Sequence, residues 1–263
     1  MKRAERQGPT VNHTTVLALA DINRRFYTQH AQEFGQTRQA PWVGWKRVVD
    51  RLEARAARSE PLRVLDLGCG NGRFLHYLAR RGLQANYAGV DRVLPSIEQR
   101  PGSDLAIETS WHAHDFIVGA SPLPASLSDD FDLVAVFGVL HHVPSFAQRK
   151  RLLAALADRL TRRGLLAVTL WQFGARERFR SRTVDWHQAE AVTGIPVDPQ
   201  QLESGDFLLA WGQGKRTARY CHYTTPPEWQ ALVADLDLLS VDEFLADGNT
   251  QDLNAYQVMR HAG

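Results

Sequence analysis

Val64-Leu65-Asp66-Leu67-Gly68-Cys69-Gly70-Asn71-Gly72-Arg73-Phe74 runs an apolar strand into a turn with three glycines and then into a helix. Glycine has no Cβ, so such a turn can bend sharply and bring its backbone against a ligand at van der Waals distance. One strand later, Ala88-Gly89-Val90-Asp91-Arg92 ends on a carboxylate that can accept two hydrogen bonds from a ribose diol. A nicotinamide fingerprint wants its third glycine at the position Arg73 occupies here. The spacing G-x-G-x-G therefore describes a nucleotide-binding turn with a different ligand.

Working outward, the strands alternate with helical stretches. Leu62–Leu67, Asn86–Val90, Leu105–His112, Asp132–Phe137 and Leu165–Trp171 read as strands. Asp132–Phe137 is a nearly continuous apolar run of the sort buried on both faces of a parallel sheet. Gly72–Arg81, closed by Gly82, and Phe146–Leu160 read as crossover helices. Before the first strand, residues 11–33 form an amphipathic helix with Leu17, Ile22, Phe26 and Phe34 sharing a face, and Trp42–Arg58 a second helix. After the fifth strand, Gln172–Thr225 is too long for a simple loop, and helix Pro227–Leu236 leads to strands Leu239–Leu245 and Asn254–Arg260. The turn-rich loop between them makes a hairpin that gives the sheet one antiparallel strand. The expected fold is α/β: a Rossmann-like, seven-stranded, mostly parallel sheet. Residues 1–60 form an N-terminal helical cap, 61–171 the nucleotide-binding core, 172–225 an insertion or lid, and 226–263 the closing helix and hairpin.

The bulk numbers agree with a globular chain. Of 263 residues, 44% are apolar and 23% charged, enough to bury a core without disulfides. Cys69 and Cys221 form neither a disulfide framework nor a metal spacing, so both are expected reduced and the protein cytoplasmic. The charged start Met1–Pro9 and the short apolar piece Val16–Ala20 make neither a signal peptide nor a membrane span. The net charge of +2 hides an asymmetry: residues 1–60 carry 11 Lys/Arg against 6 Asp/Glu, and residues 225–263 carry 1 against 7. That polarity can steer an anionic partner or describe two solvated faces. It is not the bulk basicity of a dedicated nucleic-acid binder.

The loop, with Asp66 before it and Asp91 in register, resembles motif I of class I S-adenosylmethionine (SAM) methyltransferases. Read that way, Gly68, Cys69 and Gly70 admit the amino acid and ribose portions, and Asp66 reaches the ammonium. Asp91 takes the ribose hydroxyls, and Arg92 packs near the adenine. Asp115 accepts from the adenine amino group or simply caps its strand, and the backbone of Phe116 reads the ring edge. Phe137 heads Phe137-Gly138-Val139-Leu140-His141-His142 on the cofactor side. His141 and His142 have no metal register; one is a candidate general base, or the pair packs as a turn. No metal is expected. The insertion carries Arg176, Arg178, Arg180 and Arg182 among tryptophans and acids, which suits either a phosphate grip or a salt-bridged lid.

Phe26-Tyr27-Thr28 through Thr37-Arg38-Gln39-Ala40-Pro41-Trp42 resembles the F-x-x-T-R-x-x-P-W segment of the tRNA wobble-uridine carboxymethyl methyltransferases. That family includes the methyltransferase domain of the tRNA-modifying AlkB homologue. The likeness continues through Phe131–Val143 and Arg219-Tyr220-Cys221-His222 to Asn254-Ala255-Tyr256. It implies esterification of a carboxymethyl group on a tRNA uridine, with S-adenosylhomocysteine as product. Arg38 would pair with the methionine carboxylate of SAM and Tyr27 would close the pocket. Arg219, Tyr220 and His222, with Arg176 from the insertion, would lie near the substrate entrance. Eukaryotic members work with a small zinc-binding partner, so a protein activator is admitted. Three readings stand: a tRNA carboxylate methyltransferase, a methyltransferase of a small molecule using a histidine base, and a SAM-binding regulatory protein.

Overall fold

The computed structural model describes residues 11–36, 40–54, 60–95, 107–128, 130–212 and 217–262. Arg38 lies outside them, as do Thr37, Gln39 and the side chain of Phe34. Two helices, α1 (His13–Gln36) and α2 (Gly44–Glu53), precede β1 (Leu62–Leu67), α3 (Arg73–Arg80), β2 (Ala85–Asp91) and β3 (Ile107–Ala113). Then come β4 (Phe131–Val136), α4 (Phe146–Ala157) and β5 (Leu160–Trp171). These strands, with β9 (Leu238–Ala246) and β10 (Asn254–His261), form one seven-stranded sheet ordered β3-β2-β1-β4-β5-β10-β9. Strand β10 is antiparallel to both its neighbours, while β1 to β5 pair in parallel. The expected seven-stranded fold with one antiparallel strand is thus the observed one.

The apolar runs dictate this layering, because successive side chains of a strand face opposite ways. Leu65, Leu67, Val134, Val136, Leu166 and Val168 pack on one face with α4 and α7 (Pro226–Val233). Val64, Leu133, Ala135, Leu165 and Ala167 pack on the other face with α2 and α3. Both faces are therefore dry, and among the described residues the helices lie outside them. No described helix is long and apolar enough to cross a membrane.

The insertion is a small fold of its own. It holds α5 (Glu177–Arg180), β6 (Thr183–Val184), α6 (Ala189–Thr193), β7 (Asp206–Trp211) and β8 (Thr217–His222), with the strands in an antiparallel sheet β6-β7-β8. Leu19 and Ile22 of α1 pack there against Ala189, Ile195, Leu208, Ala218 and Tyr220. The buried face of α1 is Val16, Leu19, Ala20, Ile22 and Phe26. Leu17, expected on that face, is 40% exposed because the helical repeat from Ile22 and Phe26 runs through Leu19. Other boundaries also move: α2 starts at Gly44 rather than Trp42, and α4 stops at Ala157 because Leu160 already pairs with Phe131.

Candidate active site

The glycine turn is fixed from two sides. The N–H groups of Gly68 and Cys69 donate to the Val90 carbonyl at 2.7 and 3.2 Å, and Gly70 N–H donates to Asp91 Oδ2 at 2.9 Å. Gly68, Gly70 and Gly72 have φ of 73, 53 and 77°, the left-handed region that favours glycine. Their reasons differ. A Cβ on Gly68 would lie 2.3 Å from Val139 Cγ2, whereas one on Gly70 would meet nothing within 4 Å. Gly68 thus lets the β4–α4 turn pack close, and Gly70 borders open space.

Two carboxylates end the first two strands. Asp91 also accepts from Val93 N–H at 3.3 Å; burial raises its pKa, and the backbone donors of Gly70, Val93 and Arg92 oppose that shift. Asp66 is 3% exposed and accepts from the Tyr87 hydroxyl at 2.6 Å. Burial raises its pKa to about 7, opposed by the Tyr87 bond and assisted by the neighbouring charge of Asp91; Arg73 pulls it back down. Arg73, which stands where a nicotinamide fingerprint has its third glycine, is part of this centre. Its guanidinium donates to the Ala40 carbonyl at 3.1 Å and lies 5.7 and 5.5 Å from the ring centres of Trp42 and Trp45. The readable signal was an arginine directly after the turn and two residues past Asn71.

A second group converges from segments far apart in the chain. The Tyr27 hydroxyl on α1 is hydrogen-bonded to His142 Nε2 at 2.7 Å, and Arg219 Nη1 on β8 donates to the Tyr27 oxygen at 2.9 Å. The Tyr220 carbonyl, 3.3 Å from His142 Nδ1, can only accept. The Asn23 amide nitrogen, which can only donate, is also 3.3 Å from Nδ1, so the contacts of that nitrogen fit either tautomer. Arg219, 5% exposed, lies 5.5 Å from the Phe26 ring centre and 5.2 Å from that of Trp171. Burial lowers its pKa but Tyr27 and Cys221 outweigh that, so it is raised. His141 is 5.1 Å from Trp171, ring centre to ring centre. Because His141 and His142 follow Val139, which touches Gly68, this wall stands beside the glycine turn.

The other sequence-derived residues are placed as follows. Asp115 Oδ1 accepts from the N–H groups of Ile117 and Val118 at 3.1 Å, the capping geometry of its alternative reading. Phe116 packs partly buried on the core beside it. Phe137 is buried, with ring contacts to Trp45, Phe74 and Tyr256. Arg176 is ion-paired with Asp252 and bonded to Thr250, tying the insertion to the β9–β10 connection. Tyr220 is wholly buried with its hydroxyl on Asp206, and His222 is 2% exposed between Asp206 and Glu228. The alternation of β8 turns both away from the face that carries Arg219. Cys69 and Cys221 are both buried. In space, though not in sequence, Cys221 comes within 4.8 Å of the ligand atoms of His141 and His142. Tyr27 already holds His142 Nε2 there, and the charge of Arg219 stands close by.

An open α/β sheet in this strand order, with a glycine turn and two acidic strand ends, defines the nucleotide-binding fold of class I methyltransferases. The sequence pattern of the Methyltransferase domain family matches residues 36–238, and the chain belongs to that family. It is an S-adenosylmethionine-dependent methyltransferase. It is similar to trans-aconitate 2-methyltransferase of Pseudomonas aeruginosa, 30% identical over 242 residues, covering 90% of this chain and 77% of that one. It is also similar to tRNA U34 carboxymethyltransferase of Geobacter sp., 32% identical over 139 residues, but there the match covers 47% of this chain and 41% of the relative. Among solved structures, a SAM-dependent methyltransferase of Methanosarcina mazei shares the fold with a TM-score of 0.55 at 16% identity, covering 80% of this chain and 96% of that chain.

Proposed function

We propose that this enzyme methylates a carboxylate oxygen of an anionic acceptor held against Arg219. The supporting observation is the Arg219 guanidinium itself, buried between Phe26 and Trp171 and bonded to Tyr27 at the carboxyl ends of β4 and β5. A guanidinium presents paired donors in the geometry a carboxylate accepts. The methyl donor fits the other half of the site: the open space at Gly70 leaves room for its backbone approach, Asp91 stands ready for the ribose diol, and the acidic Asp66 faces an ammonium. Asp115, through its remaining carboxylate oxygen, and Phe116 flank the adenine side.

When bound, SAM supplies a methyl group on a sulfonium, a carbon already activated for in-line displacement. An oxygen lone pair of the acceptor forms the new O–C bond while the S–C bond breaks toward sulfur. A positive and a negative charge cancel, and no proton has to move, because a carboxylate is already deprotonated near neutral pH. The task of this chain is to orient and dry the pair. Phe26, with Trp211 edge-on to it at 5.5 Å between ring centres, and Trp171 exclude water, which favours a step that neutralises charge. His142, bonded through Nε2 to the Tyr27 hydroxyl, orients that group, and a carboxylate acceptor asks no base of it.

We assign the acceptor to small carboxylic acids, with support from the trans-aconitate methyltransferase relative that spans most of the chain. A carboxymethyl group on tRNA is the second reading, supported by the T-R-x-x-P-W likeness and the shorter tRNA-modifying match. It is second because Arg176 and Arg180 of the insertion are already engaged by Asp252 and Glu177. Two cysteines, too few for a disulfide framework, suit a reducing compartment such as the cytoplasm. The test is transfer of labelled methyl from SAM to a panel of di- and tricarboxylic acids, trans-aconitate included, alongside carboxymethylated tRNA. A base-labile methyl ester is the expected product. The Arg219→Gln variant should raise acceptor KM by about tenfold or more while S-adenosylhomocysteine still binds. Absence of an ester from every pool, or an unchanged acceptor KM, sinks the proposal.

A further inference from the structure

Behind Arg219, on the opposite face of β8, lies a buried ionic cluster that methyl transfer does not use. His222 Nδ1 is 2.7 Å from Asp206 Oδ1, and its Nε2 is 2.9 Å from Glu228 Oε1. Arg149 on α4 donates to Glu203 at 2.6 Å, to Glu228 at 2.8 Å and to the Val143 carbonyl at 3.1 Å. The Tyr220 hydroxyl donates to Asp206 at 2.8 Å, and Glu203 accepts from Phe146 N–H at the start of α4 at 2.6 Å. His222 thus faces Asp206 from β7, Glu203 from the loop before it, Glu228 from α7, Arg149 from α4 and Tyr220 from its own strand. The cluster joins the insertion to the core, and β8 carries Arg219 on its other side.

Ionised carboxylates only accept hydrogen bonds, and His222 has one at each ring nitrogen. Only the imidazolium has an N–H for both. With it the cluster holds two positive charges against three negative ones; without it, one against three, with His222 and Asp206 both shut off from water. A neutral ring would turn a lone pair toward a buried carboxylate, a costly arrangement.

We propose that His222 is a positioning residue whose imidazolium pins β8 to α4 and α7, so that its charge governs acceptor capture by Arg219 and leaves donor binding alone. The acceptor part of this rests on the role given to Arg219 above; the pinning of β8 does not. Burial works against the charge, but the bonds to Asp206 and Glu228 outweigh it and raise the His222 pKa. A raised histidine pKa contributes stability that is fully present below the ordinary value and lost as pH rises through the folded one. The pin should therefore loosen on the alkaline side.

The experiment uses the full chain labelled with ¹⁵N-histidine, together with hydrogen exchange and S-adenosylhomocysteine calorimetry. The resonance lost in His222→Gln should report both ring nitrogens protonated at about pH 7.5, where an ordinary histidine is neutral. In that variant the β8 amides should exchange about tenfold faster, with S-adenosylhomocysteine Kd changed by less than about twofold. The double variant His222→Gln, Glu228→Gln removes one charge of each sign and should recover much of the protection. A neutral His222 at that pH, unchanged β8 exchange, or a donor Kd that weakens in step overturns the proposal. Should the variant not fold, the wild-type chain decides. Its β8 protection, corrected for intrinsic exchange, must fall as His222 titrates, and protection that stays flat overturns the pin. An enzyme that esterifies no carboxylate yet shows the pinned β8 would fail the acceptor reading alone.

Discussion

In the proposed site, Asp66 is expected to set the pH behaviour of the donor half. Its folded pKa of about 7 is above the usual aspartate value, so its contribution to stability is present below that usual value and lost as pH rises toward 7. A ligand ammonium stabilises the charged form, so donor binding should strengthen as pH rises toward 7 and release a proton below it. Calorimetry of S-adenosylhomocysteine in buffers of differing ionisation enthalpy should show that release, with Kd changing by at most about tenfold per pH unit. Asp66→Asn should remove the proton linkage. Asp91→Ala should weaken the donor by about 2 kcal/mol, roughly thirtyfold, through lost charge-assisted hydrogen bonds. Asp66 and Asp91 were legible in the sequence because their meaning is local: each ends an apolar strand beside the glycine turn. The Tyr27–His142–Arg219 contact was not, since its members are 115 and 192 positions apart and only the folded insertion brings them together. For the same reason His222 and Tyr220, adjacent to Arg219 in sequence, looked like site residues and are instead in the cluster behind it.

At the scale of single elements, the glycine turn separates folding from binding. Gly68→Ala should cost stability, by about 2 kcal/mol or more, because its Cβ has Val139 at 2.3 Å and its φ is positive. Gly70→Ala meets open space and should lower Tm much less, by about 1 kcal/mol of backbone strain, yet impair donor binding as severely. Thermal melts with and without S-adenosylhomocysteine distinguish the two. A Gly70→Ala protein with normal donor affinity would place the ligand elsewhere. The strands were legible from their apolar runs, but β5 begins five residues before its reading at Leu165. Its register shifts between Phe131 and Leu133, and a Cβ on Gly164 would sit 2.6 Å from the Phe131 carbonyl. The polar Thr161-Arg162-Arg163-Gly164 stretch is that irregularity, which hydrophobic periodicity cannot distinguish from a loop.

At the scale of the molecule, two cores meet at the reaction. The sheet core carries the glycine turn, and the smaller core of α1 and the insertion carries Tyr27 and Arg219. Leu19, wholly buried in the smaller one, should cost about 2–5 kcal/mol as Leu19→Ala. Acceptor KM should then rise and α1, β7 and β8 should exchange together, ahead of β1 and β4; uniform exchange across both cores would contradict the division. Seven strands were legible, but not that α1 belongs with a segment more than a hundred residues later, since amphipathicity shows a buried face without naming its partner. The order of the sheet also bears on how the chain is made. Strand β10 is threaded between β5 and β9 and is synthesised after both. Until it emerges from the ribosome, β5 keeps an open edge and β9 has no neighbour, and direct pairing of the two would shut out the strand meant to separate them. The helix and glycine turn of the donor half can assemble early, but the sheet closes only once β10, made after both its neighbours, is in place.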